Sequence, residues 1–308
     1  MKVALVTSWG THCGIAEHSK MLATAVQALD TSIQYCVDPR WLDPPYGDAP
    51  DADLVHLNYH RGLHSRWTPA GVAAVRHPVV ITFHDTYAVQ PDRLPWDLLD
   101  CPNVKGMVVH EPCDLLEHPK VRYWRQACPP RSNYQPVAPD TGLPILGTLG
   151  FDFPWKNYQE LARHTRAAGW GLRIVGEVSP EARGVIQTLN PDTVFDGYQP
   201  TYVAVATLAS CAATAFMYTC QNSGTSGAIR LGIAAGRKVY ALESCRQFRD
   251  LMQEEAITWV PSLGTLQEAL ETQEYGGDVP AVQALAQRLS WGRLASQYVQ
   301  LYEEAVRG

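Results

Sequence analysis

Short runs of aliphatic and β-branched residues alternate with longer stretches of helical periodicity along the whole chain. Continuous apolar runs of this kind suit strands covered on both faces, and the periodic stretches between them suit the covering helices. The pattern therefore predicts parallel sheets in an α/β fold. In the first half the strands are expected at Val3–Thr7, Ile33–Val37, Leu54–Leu57, Val79–Phe83 and Val104–Val109. A helix from about Ile15 to Leu29 carries Met21, Leu22, Ala25, Val26 and Leu29 at helical spacing. The alternation stops at Ala127–Pro144, where Pro129, Pro130, Pro136, Pro139 and Pro144 fix their own backbone and disfavour helix before them. This stretch reads as an interdomain connection.

Strand and helix patterns restart at Leu143–Leu149. Helices are expected at Tyr158–Ala168, Pro180–Leu189, Tyr202–Ala209 and Ala228–Ala235, with strands at Leu172–Val175, Val194–Phe195, Thr214–Met217 and Lys238–Leu242. Three more helices follow at Leu263–Glu271, Val279–Leu289 and Trp291–Val306. With 308 residues the chain exceeds one ordinary core, so two α/β domains are expected, at 1–140 and 141–290.

Composition narrows the function classes. An apolar content of 46% with 18% charged residues is that of a folded chain, and a formal charge of −6 argues against a strongly basic surface. The eight cysteines include no CxxC pair, which gives a structural zinc site little support. Met1 leads directly into a strand-like run without the features of a signal peptide, and no stretch approaches the length that spans a bilayer. A cytoplasmic location with reduced thiols is the expectation.

Four segments have residue types suited to chemistry. Ser8–Ser19 lies between the first strand and first helix, where Gly14 lets backbone approach a ligand and the helix offers free amides. Val79–Tyr87 places His84 and Asp85 at a strand's carboxyl end, where open α/β sheets hold their ligands. Asn58, Tyr59 and His60 occupy a similar strand end. Gly147–Asn157 runs from a strand through a glycine turn to Lys156, just before a helix, a suitable place for a diphosphate. In Asn222–Lys238, Gly224, Thr225, Ser226 and Gly227 precede a helix carrying Arg230, and can form a nest for phosphate oxygens. Each segment also has a purely structural reading: a turn, a strand cap, a surface lysine, a helix cap.

In order and position, these segments resemble the large retaining glycosyltransferase family of GT-B fold, which includes bacterial mannosyl- and glucosyltransferases. GIAEHS resembles the family's amino-terminal loop, and ITFHDT its active-site histidine strand, which maps onto His84. GTLGFDFPWKN is similar to the start of its carboxyl-terminal domain, with the phosphate-binding lysine at Lys156. TSGAIRLGIAAGRKV resembles its donor-binding helix. SWGRLASQYVQLYEEA resembles the last helix, here 291–308, which crosses back to the first domain.

The resemblance implies two Rossmann-like domains with parallel sheets facing across a cleft. It also implies a metal-free, retaining transfer of a hexose from a UDP-sugar, a cosubstrate rather than a resident cofactor. His84 and Lys156 would be catalytic. Gly14, Lys156, Ser223, Gly224, Thr225, Ser226, Gly227 and Arg230 would bind the donor, and Asn58, Tyr59, His60 and Asp85 the acceptor. Three family positions depart: Phe151 stands where an arginine is common, and Ser223 and Leu231 stand where two glutamates are common.

Alternatives stay open on the acceptor and on activity. Lys120, Arg122, Arg125 and Arg131, interleaved with Tyr123 and Trp124, suit either a solvated loop or an anionic acceptor such as a 5-hydroxymethylated pyrimidine in DNA. The missing glutamates suit a non-catalytic sugar-nucleotide-binding protein. A sugar-nucleotide epimerase would share the architecture, but the sequence lacks the carboxylate cluster it would need.

Overall fold

A computed structural model describes residues 1–38, 52–85, 94–136, 142–220, 224–272 and 279–308. The chain forms two compact units. One comprises Met1–Gln126 and Trp291–Gly308, with Gly224 and Thr225 grouped with it; the other comprises Ala127 onward and Ser226–Ser290. The expected boundary at 140–141 lies outside the described residues, and residues from Ala127 on already belong to the second unit. There Cys128 N–H donates to the Leu289 carbonyl at 2.6 Å, so the proline-rich stretch begins against the end of that unit.

In the first unit the strands are β1 (Lys2–Val6), β2 (Gln34–Cys36), β3 (Leu54–Tyr59), β4 (Val79–Phe83), β5 (Val104–Val109) and β6 (Val121–Tyr123). They form one sheet in the order β2-β1-β3-β4-β5-β6, every pair parallel. The helices are α1 (Gly14–Leu29), the short α2 (Arg61–His64), α3 (Pro69–Ala73) and α4 (Leu94–Leu99). The strands β3 and β4 are buried at every position, which is why their sequences run apolar without alternation.

The second unit holds β7 (Ile145–Leu149), α5 (Tyr158–Ala167), β8 (Gly171–Val175), α6 (Pro180–Leu189), β9 (Thr193–Gly197), α7 (Thr201–Ala209), β10 (Ala213–Phe216), α8 (Gly227–Ala235), β11 (Lys238–Leu242), β12 (Ile257–Val260), α9 (Leu263–Thr272) and α10 (Pro280–Arg288). Its sheet order is β12-β11-β10-β7-β8-β9, again all parallel. Helix α5 packs with α6 and α9, and α8 packs with α7 and α10. Right-handed crossovers put these two groups on opposite faces, because the strand order reverses between β7 and β10. The first sheet reverses between β1 and β3. Such reversals leave a crevice beyond the carboxyl ends of the two central strands.

The final helix α11 (Trp291–Arg307) packs in the first unit against α1 and strands β3–β5. Its stripe of Leu294, Ala295, Tyr298, Leu301, Tyr302 and Ala305 is buried, which accounts for the periodicity. A chain of hydrogen bonds anchors it beneath the sheet. Tyr35 Oη donates to Tyr302 Oη at 3.1 Å, and Tyr302 Oη lies 2.7 Å from His56 Nδ1. His56 Nε2 lies 2.8 Å from Thr82 Oγ1, which lies 2.6 Å from Tyr298 Oη. Burial lowers the His56 pKa to about 3, so the ring is a neutral link in this chain.

Truncating the link leaves buried partners unsatisfied. Tyr302→Phe is expected to cost about 1–3 kcal/mol, read from the urea-unfolding midpoint. An unchanged midpoint would show that the network does not hold the helix.

Candidate functional site

The two sheet reversals each gather candidate residues. In the second unit, β7 ends at Leu149 and the chain turns at Gly150, whose φ of +141° disfavours a side chain. A Cβ there would lie 3.1 Å from both Cε and Nζ of Lys156. Gly176 follows β8 with φ +140°, and a Cβ on it would come within 2.1 Å of the Gly150 carbonyl oxygen. The two glycines let the ends of β7 and β8 cross closely, tied by Gly150 N–H donating to Val175 at 2.9 Å.

The turn Pro154–Lys156 is pinned from the β10 side. Asn157, left-handed at φ 56°, donates through Nδ2 to the Met217 carbonyl at 2.7 Å, and Thr219 N–H donates to the Trp155 carbonyl at 2.8 Å. This folds Lys156 back so that Nζ sits 3.3 Å from the centroid of the Tyr218 ring. Tyr218 follows β10, is fully buried, and donates through its hydroxyl to the Leu149 carbonyl. Lys156 is only 8% exposed, and among the described residues no carboxylate pairs with it. Desolvation lowers its pKa to about 7, opposed weakly by the Cys245 and Cys220 thiols. A cation held over an aromatic face without a counter-charge is prepared to receive an anion.

Helix α8 starts nearby in sequence. Ser226 is its N-cap residue, with its N–H donating to the Gln247 carbonyl at 3.2 Å, but its side chain makes no capping hydrogen bond. The amides from Gly227 onward stand at the positive end of the helix, a setting that suits an anion. Gly224 and Thr225 group with the first unit and Ser226 and Gly227 with the second, while Ser223 lies outside the described residues.

Arg230 departs from the expectation. Its guanidinium is 1% exposed and forms an ion pair with buried Asp250 through Nη2, while Nε and Nη1 have no hydrogen-bond partner among the described residues. Leu231 packs against the apolar cluster of Val175, Ala204, Leu208 and Ala235, so an apolar side chain is what this helix face takes.

An aromatic ladder was not legible in the sequence. Phe151 stacks on Tyr198 (centroids 6.4 Å apart, planes 21°), touches Phe153 at 6.0 Å, and Phe153 stacks on Trp155 at 4.4 Å and 12°. Phe153 and Trp155 are 46% and 36% exposed. The close spacing in sequence was a signal, but only the turn reveals that the rings stack.

The first unit carries a histidine cluster. His18 from α1, His84 after β4 and His110 after β5 have ring centroids 5.0–5.7 Å apart, and Trp291 meets His18 edge-on at 5.1 Å. Asn58 is fully buried beneath them. Its Oδ1 lies 2.5 Å from His84 Nε2, and its Nδ2 donates to Ser19 Oγ and to the Ile15 carbonyl at 3.3 Å. Ser19 Oγ lies 2.6 Å from Thr7 Oγ1, joining the network to the end of β1. His18 and His110 were not singled out beforehand, because only the sheet reversal brings α1 beside β4 and β5. Gly14 opens α1, with the Cys13 Sγ accepting from Ala16 N–H, and open space surrounds it.

The three other expected acceptor residues, Tyr59, His60 and Asp85, make local contacts. Tyr59 is 1% exposed and stacks on Phe83 (5.2 Å, 7°) in the core, so it lines no ligand surface. Asp85 accepts from Arg61 N–H and lies 3.4 Å from His60 Nε2, while His60 Nδ1 caps α2 through Gly62 N–H at 3.1 Å. Asp85 and His60 therefore shape the turn beside His84, and Asp85 is not the partner of His84.

The basic segment also differs from a continuous exposed stretch. Val121–Tyr123 is the edge strand β6, Lys120 Nζ donates to the carbonyls of Leu99 and Cys101, and Arg122 donates to the Pro119 carbonyl at 2.6 Å. Arg125 belongs to the first unit and Arg131 to the second. Among the described residues no group of three His, Cys, Asp or Glu side chains is arranged to hold a metal ion, and no helix is long and apolar enough to cross a membrane.

Burial holds the His18 and His84 pKa values well below 6.5, followed by repulsion from neighbouring imidazoles, and burial lowers His64 to about 4. Below about pH 6.5 the unfolded chain takes up protons that these folded rings refuse, so stability is full above that pH and falls as pH drops through it. The expected slope is about 1.4 kcal/mol per pH unit for each such histidine, read from urea midpoints between pH 7.5 and 5. A midpoint that stays level over that range would contradict the burial.

Gly176→Ala places a methyl group against the Gly150 backbone. It is expected to destabilise the second unit by about 1–3 kcal/mol from the backbone conformation alone, measured by thermal unfolding.

No protein-family profile and no curated sequence matches the chain. Solved structures do. The glycosyltransferase AviGT4 of avilamycin A biosynthesis aligns with a TM-score of 0.67 and 17% identity, covering 100% of this chain and 98% of its own. HepE from Anabaena, solved with UDP and glucose, aligns with a TM-score of 0.68 and 13% identity over 97% of this chain and 98% of its own. A sucrose-phosphate synthase from Thermosynechococcus elongatus gives 0.62 and 16% over 99% and 98%. End-to-end likeness at such low identity, with two all-parallel sheets and their paired reversals, identifies this chain as a member of the GT-B fold.

Proposed function

We propose that the protein is a glycosyltransferase that takes a nucleotide-diphosphate sugar as donor. The observation that carries this reading is Lys156: a buried cation over Tyr218, at the reversal between β7 and β10, without a carboxylate partner among the described residues. The amides at the start of α8 supply a second anion-binding element in the same unit. HepE, of the same fold, is solved with UDP, with UDP-glucose and with UDP and glucose, which supports a UDP-hexose as donor.

In this reading Lys156 and the α8 amides stabilise the charge that develops on the departing diphosphate. The acceptor hydroxyl attacks the anomeric carbon on the face the diphosphate leaves, with retention of configuration. The leaving phosphate oxygen takes the hydroxyl proton, so the protein needs neither a carboxylate pair nor a divalent metal. Lys156 binds the diphosphate in its protonated form, and the incoming negative charge opposes the desolvation that lowers its pKa. His84, at the carboxyl end of β4, meets the sugar or the acceptor.

The test is Lys156→Ala assayed against UDP-glucose and other sugar nucleotides. The rise in melting temperature produced by UDP is expected to vanish, and turnover to fall by about 100–1,000-fold. Turnover equal to the unaltered protein would sink the proposal. Donor binding without release of UDP by the unaltered protein, over a panel of acceptors, would instead make it a sugar-nucleotide sensor.

A further inference from the structure

Two backbone carbonyls fix protons in the histidine cluster, because a carbonyl oxygen only accepts hydrogen bonds. The Ile15 carbonyl lies 3.3 Å from one terminal atom of the Asn58 side chain, so that atom is the amide nitrogen. The other terminal atom is then the Asn58 oxygen, and it lies 2.5 Å from His84 Nε2. An amide oxygen also only accepts, so His84 Nε2 carries the hydrogen and Nδ1 of the neutral ring keeps its lone pair.

The Trp124 carbonyl fixes a second proton in the same way. It lies 2.6 Å from His110 Nδ1, which must donate. His110 Nε2 and His18 Nε2 lie 3.2 Å apart, so one of them donates to the other. His18 Nδ1 is buried and has no hydrogen-bond partner among the described residues. Burial, and after it repulsion from neighbouring imidazoles, holds the pKa values of His18 and His84 well below 6.5, so both rings are uncharged at neutral pH.

We propose that Asn58 is a positioning residue that locks His84 as its Nε2–H tautomer. The carboxyl end of this sheet then offers a neutral nitrogen acceptor, His84 Nδ1, and takes an uncharged, hydroxyl-bearing acceptor molecule in preference to a phosphorylated or carboxylated one. A hydroxyl donates its hydrogen to an imidazole lone pair, whereas an anionic oxygen meets it as one acceptor meeting another, in a desolvated setting. The role given to that hydroxyl rests on the glycosyltransferase reading; the tautomer does not.

Long-range proton–nitrogen correlation NMR of the full chain labelled with 15N-histidine distinguishes the two neutral tautomers from the doubly protonated ring. At pH 7 the expected result is Nε2–H for His84. An Nδ1–H or doubly protonated His84 overturns the proposal. Asn58→Asp keeps an acceptor beside His84 but adds a charge, so His84 is expected to become doubly protonated at pH 7. Turnover of UDP-glucose should then fall by about 100-fold at pH 7 and recover as pH rises, with KM for UDP-glucose unchanged. A pH profile identical to that of the unaltered protein overturns the positioning role. A far-ultraviolet circular dichroism spectrum and a dispersion of the histidine resonances equal to those of the unaltered protein show that the variant is folded. Absence of turnover by the unaltered protein with any sugar nucleotide counts against the glycosyltransferase reading alone, since the NMR result decides the tautomer by itself.

Discussion

A parallel strand cannot return to its neighbour through a tight turn, so each pair in these sheets needs a crossover whose loops gather at the strand ends. Where the strand order reverses, two successive loops leave in opposite directions and the space between them is filled by neither. Both units use that space. In the second it is the gap between β7 and β10, bridged by Lys156 lying on Tyr218. In the first it is the gap beside β1 and β3, reached by Asn58, Ser19 and the rings above them.

The two reversals differ in electrostatic character. Among the described residues the second unit buries Lys156 without a carboxylate beside it, and the N-cap Ser226 side chain makes no capping hydrogen bond, which suits an anion. The first buries imidazoles that are held neutral, and its nearest carboxylate at the β4 end, Asp85, is occupied by the Arg61 amide and His60.

Arg230 and Lys156 show why residue type alone misassigns charge. Both stand near glycine-rich turns before or within helices, and both are almost completely buried. Arg230 meets Asp250, twenty residues away in sequence, and becomes part of the scaffold. Lys156 meets an aromatic ring and, among the described residues, no carboxylate. Tyr59 is a similar case: its place at a strand end suggested a ligand wall, but strand alternation turns it onto Phe83 in the core.

Most of the regular elements were legible in the sequence, because burial on both faces and helical periodicity leave local marks. Val79–Phe83, Val104–Val109, Pro180–Leu189 and Lys238–Leu242 have the bounds their residues predict. The edge strands Val121–Tyr123 and Ile257–Val260 were missed; one lies in a basic stretch and the other is only four residues long. The sequence by itself also determined where glycine turns and strand-end polar residues fall, and so marked His84 and Lys156. Only the tertiary structure decided which of the marked groups are free for chemistry. Partners such as Asp250, Tyr218, Asn58 and His110 lie far apart in the chain and meet only when parallel strands are ordered in a sheet. Burial, which sets the charge of each group, is a property of that order rather than of any local segment.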